Sequence, residues 1–300
     1  MKLPLDRIKE LGNIDFLARQ LVDGFITGLH KSPYHGFSVE FAEHKLYNTG
    51  ESTRHIDWKV YAKTERLYTK RYEEETNLRC QLVIDVSSSM YYPSETRGKL
   101  MYSLLSAAAL AFMLQRQRDA VGLATFSDKI EYTSQIRSTS THLNKLFIQL
   151  QQLADDEKVE SKTSVATILH EIAEMNPRRS LIILFSDMFD SQDTNEIFKG
   201  LQHLKHNQHE VLLFHITDKK TEFEFAFDDR PYEFIDLESG EKMKLNPADV
   251  KTAYREQIDR FYKELKLKCG QLKIDFIPMD IHNDFNDVLY SYLVKRSKMR

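Results

Sequence analysis

Cysteine is scarce in this chain: 300 residues contain only Cys80 and Cys269, each inside an apolar segment. So small a supply argues against a disulfide and against a metal site, and both residues read as small core side chains. An excess of one charge is also missing. Lys and Arg number 42 against 45 Asp and Glu, a net charge of -3, which argues against nonspecific nucleic-acid binding. P-loop, Gly-x-Gly-x-x-Gly and Gly-x-Ser-x-Gly patterns do not occur, so the usual nucleotide sites and the serine-hydrolase elbow lack support. The opening MKLPLDRIKELGN carries no apolar h-region. The longest apolar stretch, Leu100 to Leu114, is broken by Tyr102, Ser103 and Ser106 and reads as too short to cross a bilayer. A cytoplasmic protein without direct membrane insertion is expected.

What is present is an alternation of strand and helix patterns. Ile14, Leu17, Ala18, Leu21, Val22 and Phe25 form one apolar helical face, capped by Asn13 and ended by Gly28. An irregular segment follows, with a short strand expected over Phe37, Val39 and Phe41 and an extended ribbon from Leu67 to Glu75. From Cys80 onward, short apolar runs such as LIILF and VLLFHI alternate with helical patterns. Such runs suit strands covered on both faces, so the expected fold is α/β, a doubly wound, mainly parallel sheet flanked by helices. Residues 1–78 read as an N-terminal extension and 79–300 as the α/β domain. Within 221–245, EFEFAF reads as a strand, and the following stretch reads as a β-hairpin insertion turning at Glu238-Ser239-Gly240.

The chemistry gathers at QLVIDVSSSM. An apolar strand ends in Asp85, and Ser87 and Ser89 follow at alternate positions. In an open parallel sheet ligands bind outside the carboxyl ends of the strands. The same edge receives Thr163, with Ser164 as its rival, from the turn before a helix, and Asp187 from the end of LIILFS. One carboxylate with several hydroxyls makes a hard oxygen site suited to Mg²⁺, with Mn²⁺ or Ca²⁺ as substitutes.

Asp-x-Ser-x-Ser, a second-loop Thr and a later Asp resemble the metal-ion-dependent adhesion site of von Willebrand factor A domains, which assigns Asp85, Ser87, Ser89, Thr163 and Asp187 as metal ligands. Where that family usually has glycines before the Thr, this chain has Glu160, Ser161 and Lys162. Upstream, Lys45, Tyr47, Gly50, Arg54, Ile56, Asp57, Trp58, Ala62, Tyr72 and Glu73 to Glu75 resemble the bacterial family of domain of unknown function fifty-eight. The resemblance implies a non-enzymatic, metal-dependent protein-binding adaptor whose ion accepts an Asp or Glu of a partner. It also implies work beside a MoxR-type AAA+ ATPase in assembling or activating other proteins. The alternative is a Mg²⁺-dependent hydrolase or phosphotransferase using Asp85. Against it, Ser87 stands where haloacid dehalogenase-type enzymes need a second Asp. His203, His206 and His209 read as a solvated stripe at a helix end rather than as a transition-metal site.

Overall fold

A strand buried on both faces needs helices above and below it, and β3 (Arg79–Asp85) is buried from its second residue to its last. The computed structural model, which describes residues 13–31, 44–46, 61–63, 67–70, 78–156, 164–189, 194–237 and 240–298, supplies both layers. Ahead of β3 come α1 (Ile14–Lys31), β1 (His44–Leu46) and β2 (Tyr68–Lys70). After it come α2 (Gly98–Arg116), β4 (Ala120–Phe126), β5 (Ile130–Thr133), α3 (Ser140–Asp155) and α4 (Val165–Met175). Next are β6 (Leu181–Ser186), α5 (Thr194–His206), β7 (Glu210–Thr217), β8 (Tyr232–Ile235) and β9 (Lys242–Leu245). The chain closes with α6 (Pro247–Gln271), β10 (Asp275–Asp280) and α7 (Asn286–Lys298).

The main sheet has the order β5-β4-β3-β6-β7-β10, with β5 antiparallel to β4 and every other pair parallel. This is the doubly wound α/β architecture expected from the alternation of patterns. Winding runs outward from β3 to β5 and restarts at β6, so the carboxyl ends of β3 and β6 flank the topological switch point.

α2 is buried from Gly98 to Leu114, as an almost uniformly apolar helix must be, and touches β3, β4, α3 and α7. Its full 19 residues do reach membrane-crossing length, contrary to the shorter apolar stretch read from sequence, and 94% of its apolar window is buried within the fold. At its start, a Cβ on Gly98 would lie 2.9 Å from Ile281 Cδ1 and 3.0 Å from Pro93 Cδ, so any larger residue would have to displace those side chains. The opposite face of the sheet is covered by α4, α5 and α6: Ile168, Ile172, Leu201 and Leu265 share one core with Leu184 and Leu213.

α1 buries the stripe its periodicity marked. Its Ile14 N–H donates to Gln151 Oε1 at 3.0 Å, and the Arg19 guanidinium lies over the rings of Phe112 and Phe147. Whereas the sequence division put residues 1–78 together, contacts separate the chain into one unit of 1–26 with 78–300 and another of 27–77. Within the second unit β1 and β2 pair antiparallel. The strand expected at Phe37 to Phe41 lies outside the described residues, as does the Arg54 to Trp58 block.

Two expectations need correcting. EFEFAF is not a strand, because Lys219–Phe223 forms a short π-helical turn. Its alternating aromatics reflect packing instead: Phe225 contacts Phe227, Phe234 and Tyr254, linking this segment to the β8–β9 hairpin and α6.

Nor is the histidine series solvated throughout: His206 is exposed as expected, but His203 and His209 are not. His203 Nδ1 lies 2.8 Å from His170 Nδ1, with Nε2 2.7 Å from Glu174 Oε1, because α5 packs directly on α4. His209 is fully buried in the turn into β7, where Nδ1 accepts the Ser180 N–H and Nε2 faces the Ala173 carbonyl, each at 3.3 Å. Burial lowers its pKa below the ordinary 6.5, against the pull of those hydrogen bonds. The folded state therefore resists a proton that the unfolded chain accepts near pH 6.5, and stability is present above that pH and lost as pH falls below it. His209→Gln is expected to flatten this acid limb, measured as a smaller drop in urea midpoint between pH 7.5 and pH 5.5 (about one unit either side of the imidazole's ordinary pKa).

Candidate metal centre

Two adjacent strands deliver the polar groups. β3 ends in Asp85, which is fully buried, and the chain turns into a short 3₁₀ helix, Ser88–Tyr91. The turn lets Asp85 Oδ1 accept the N–H of Ser87 at 2.9 Å and brings Ser87 Oγ to 3.1 Å from Ser89 Oγ. From β6, Ser186 donates its hydroxyl to Asp85 Oδ2 at 2.7 Å, tying the two strand ends together. Ser186 Oγ also accepts the Met188 N–H at 2.8 Å, holding a turn in which Met188 adopts a left-handed conformation, φ 57°. Asp187 follows, with Oδ1 accepting the Phe189 N–H at 3.1 Å and Oδ2 2.7 Å from the Lys99 ammonium. Lys99 reaches in from the first turn of α2 and also lies 2.6 Å from Glu222 Oε1.

The site is short of positive charge on the Asp85 side. Burial, reinforced by the nearby Asp187 charge, pushes the Asp85 carboxyl up to about 7, although hydrogen bonds from Ser87 and Ser186 pull the other way. Burial alone would lower the Lys99 pKa, yet Asp187 and Glu222 outweigh it and hold the ammonium above its ordinary value. Burial raises Glu222, with Lys99 opposing.

These residues fit a hard divalent cation. The donors are all oxygens, and the Ser87–Ser89 separation of 3.1 Å is close to the about 2.9 Å between adjacent ligands of an octahedral ion with bonds of 2.0–2.1 Å. Asp85 supplies the carboxylate. Asp187, engaged by Lys99 and the Phe189 N–H, fits an outer position.

Of the residues picked from sequence, the structure thus brings Asp85, Ser87, Ser89 and Asp187 to one edge. Thr163 lies outside the described residues. Its rival Ser164 donates its hydroxyl to Thr167 Oγ1 at 3.1 Å, a bond within its own helix start. Sequence reasoning missed Ser186, Lys99 and Glu222. A lone lysine at the head of a wholly buried apolar helix was the readable signal for Lys99. A second group at the same sheet edge was also missed: Asp218, Asp280 and His282, at the ends of β7 and β10, bring ligand atoms within 4.8 Å of one another.

Comparison with known proteins gives a family and distant relatives. The family described as "Protein of unknown function DUF58" matches residues 43–266. An uncharacterised protein of Mycobacterium bovis and two of Mycobacterium tuberculosis are each 28% identical over 103 residues, 34% of this chain and 32% of the relative. The chain therefore matches about a third of the length of these relatives. Among solved structures, the conserved hypothetical protein BatB from Bacteroides thetaiotaomicron is 12% identical, with TM-score 0.42, covering 74% of this chain and 99% of that one. A von Willebrand factor type A protein from Catenulispora acidiphila is 16% identical, with TM-score 0.37, covering 65% and 43%. The manganese-loaded TRAP protein of Plasmodium vivax is 14% identical, with TM-score 0.37, covering 47% and 57%.

Proposed function

This chain belongs to the DUF58 family, and from that premise we propose that its Asp85 centre is a divalent-cation-dependent docking site for another protein. The observation that carries the reading is the convergence of the buried Asp85 with the Ser87 and Ser89 hydroxyls at the carboxyl end of β3, beside the switch point. Asp85, Ser87 and Ser89 would hold the ion, with Thr163 as the second-loop ligand and Asp187 acting from the outer position. Mg²⁺ is the proposed ion, with Mn²⁺ or Ca²⁺ as substitutes, and when bound it would offer a coordination position to an external carboxylate. Ser186 fixes the orientation of Asp85, and the Phe189 N–H fixes that of Asp187.

The partner proposed is a protein presenting an Asp or Glu, and by family resemblance a MoxR-type AAA+ ATPase, met in the cytoplasm. The protein would act as an adaptor in assembling or activating other proteins, without catalysis of its own. The test is capture of the purified ATPase by the purified chain in Mg²⁺ and in EDTA. Capture in Mg²⁺ that falls at least tenfold in EDTA supports the reading, and capture indifferent to EDTA contradicts it.

A further inference from the structure

The Asp187 carboxylate does not act alone. The Lys99 ammonium sits 2.7 Å from Asp187 Oδ2 and 2.6 Å from Glu222 Oε1, on a side chain only 1% exposed. The rings of Tyr92 and Phe189 lie 6.0 and 5.8 Å from it. Glu222 is itself fixed, its Oε2 accepting the Asp218 N–H at 2.7 Å. Burying an ammonium costs several kcal/mol in desolvation, and α2 is otherwise lined by apolar and small residues, so packing alone gives no reason for a lysine at its head.

We propose that Lys99 is a positioning and specificity residue of the cation site: by pairing with Asp187 it stops that carboxylate from neutralising a bound divalent ion and so preserves charge for an external carboxylate. This rests on the Asp85 centre being a cation site. Charges of Asp85 and Asp187 would by themselves balance a dication, leaving little attraction for a third carboxylate. Lys99 cancels part of the Asp187 field. Glu222 sets how much, because it shares the same ammonium. Weaker retention of the ion is exchanged for stronger capture of an acidic group.

The signs of two binding constants test this. Mn²⁺ is titrated into the full chain by water-proton relaxation, and acetate is then titrated onto the Mn²⁺-loaded protein. Lys99→Met with Glu222→Gln keeps the total charge and removes only the pairing. It should bind Mn²⁺ roughly tenfold tighter, since Asp187, freed of the ammonium paired with it, then acts on the ion with its full charge, and acetate more weakly. Glu222→Gln alone turns Lys99 wholly onto Asp187 and should do the reverse, weakening Mn²⁺ and strengthening acetate. If the double variant does not fold, the signs for Glu222→Gln decide. Both constants falling together, as structural damage would produce, or both unchanged while the wild type binds Mn²⁺, overturns the role of Lys99. A wild type that binds no Mn²⁺ overturns the cation site itself.

Discussion

Asp85→Ala is expected to abolish the stabilisation that Mg²⁺ gives the wild-type protein. A ligand that binds only the folded state at a hundredfold excess over its Kd stabilises by about 2.7 kcal/mol. For a domain of this size that raises Tm by roughly 5–10 °C. Of Asp85 and Asp187, Asp85 is the carboxylate met by serine hydroxyls rather than by an ammonium, so its removal takes away the charge that would hold the ion. The metal-free stability of the variant is a poorer readout, because two effects oppose. Alanine leaves the Ser186 hydroxyl and the Ser87 N–H without their acceptor, at about 1–3 kcal/mol each if unpaired, yet it removes a buried charge facing Asp187. The difference between Mg²⁺ and EDTA isolates the ion. Two melts of each protein by circular dichroism suffice, and an Asp85→Ala protein that still gains several degrees from Mg²⁺ would place the ion elsewhere, with Asp218, Asp280 and His282 next in line.

Lys99→Ala should destabilise the protein by about 3–5 kcal/mol, the usual cost of breaking a buried ion pair by removing one partner. Its partners explain the size. Asp187 is fully buried and the Glu222 side chain only 14% exposed, so neither carboxylate has enough water to replace the ammonium. A drop in Tm of roughly 10 °C in EDTA is expected. Part of it should return in Mg²⁺, since the ion then stands against Asp187. An exposed pair such as Lys199–Glu196 provides the contrast: its removal should change stability by about 0–1 kcal/mol. Equal effects at the two sites would mean that the buried triad is more hydrated than its burial indicates.

Apolar runs such as LIILF and VLLFHI revealed the parallel sheet because strands buried on both faces leave no polar face to confuse the pattern. The oxygen site was legible for a related reason: Asp85 and Asp187 end apolar strands, where topology dictates a common edge. Lys99 and Glu222 were not. Lys99 meets Asp187 across 88 residues of chain and Glu222 across 123, separations that no local pattern encodes. EFEFAF misled because alternation of aromatics is equally the signature of a segment packing against a hairpin and a helix. His209 misled because spacing says nothing about the turn that folds it beneath Ala173 and Ser180.

Isothermal titration of Mn²⁺ into the metal-free wild-type chain, alongside Asp85→Ala, tests the central claim most directly. One equivalent should bind the wild type, and none should bind the variant at the same concentrations. Equal binding by both proteins, or no binding by the wild type, would contradict the assignment of Asp85, Ser87 and Ser89 as a cation-binding docking site.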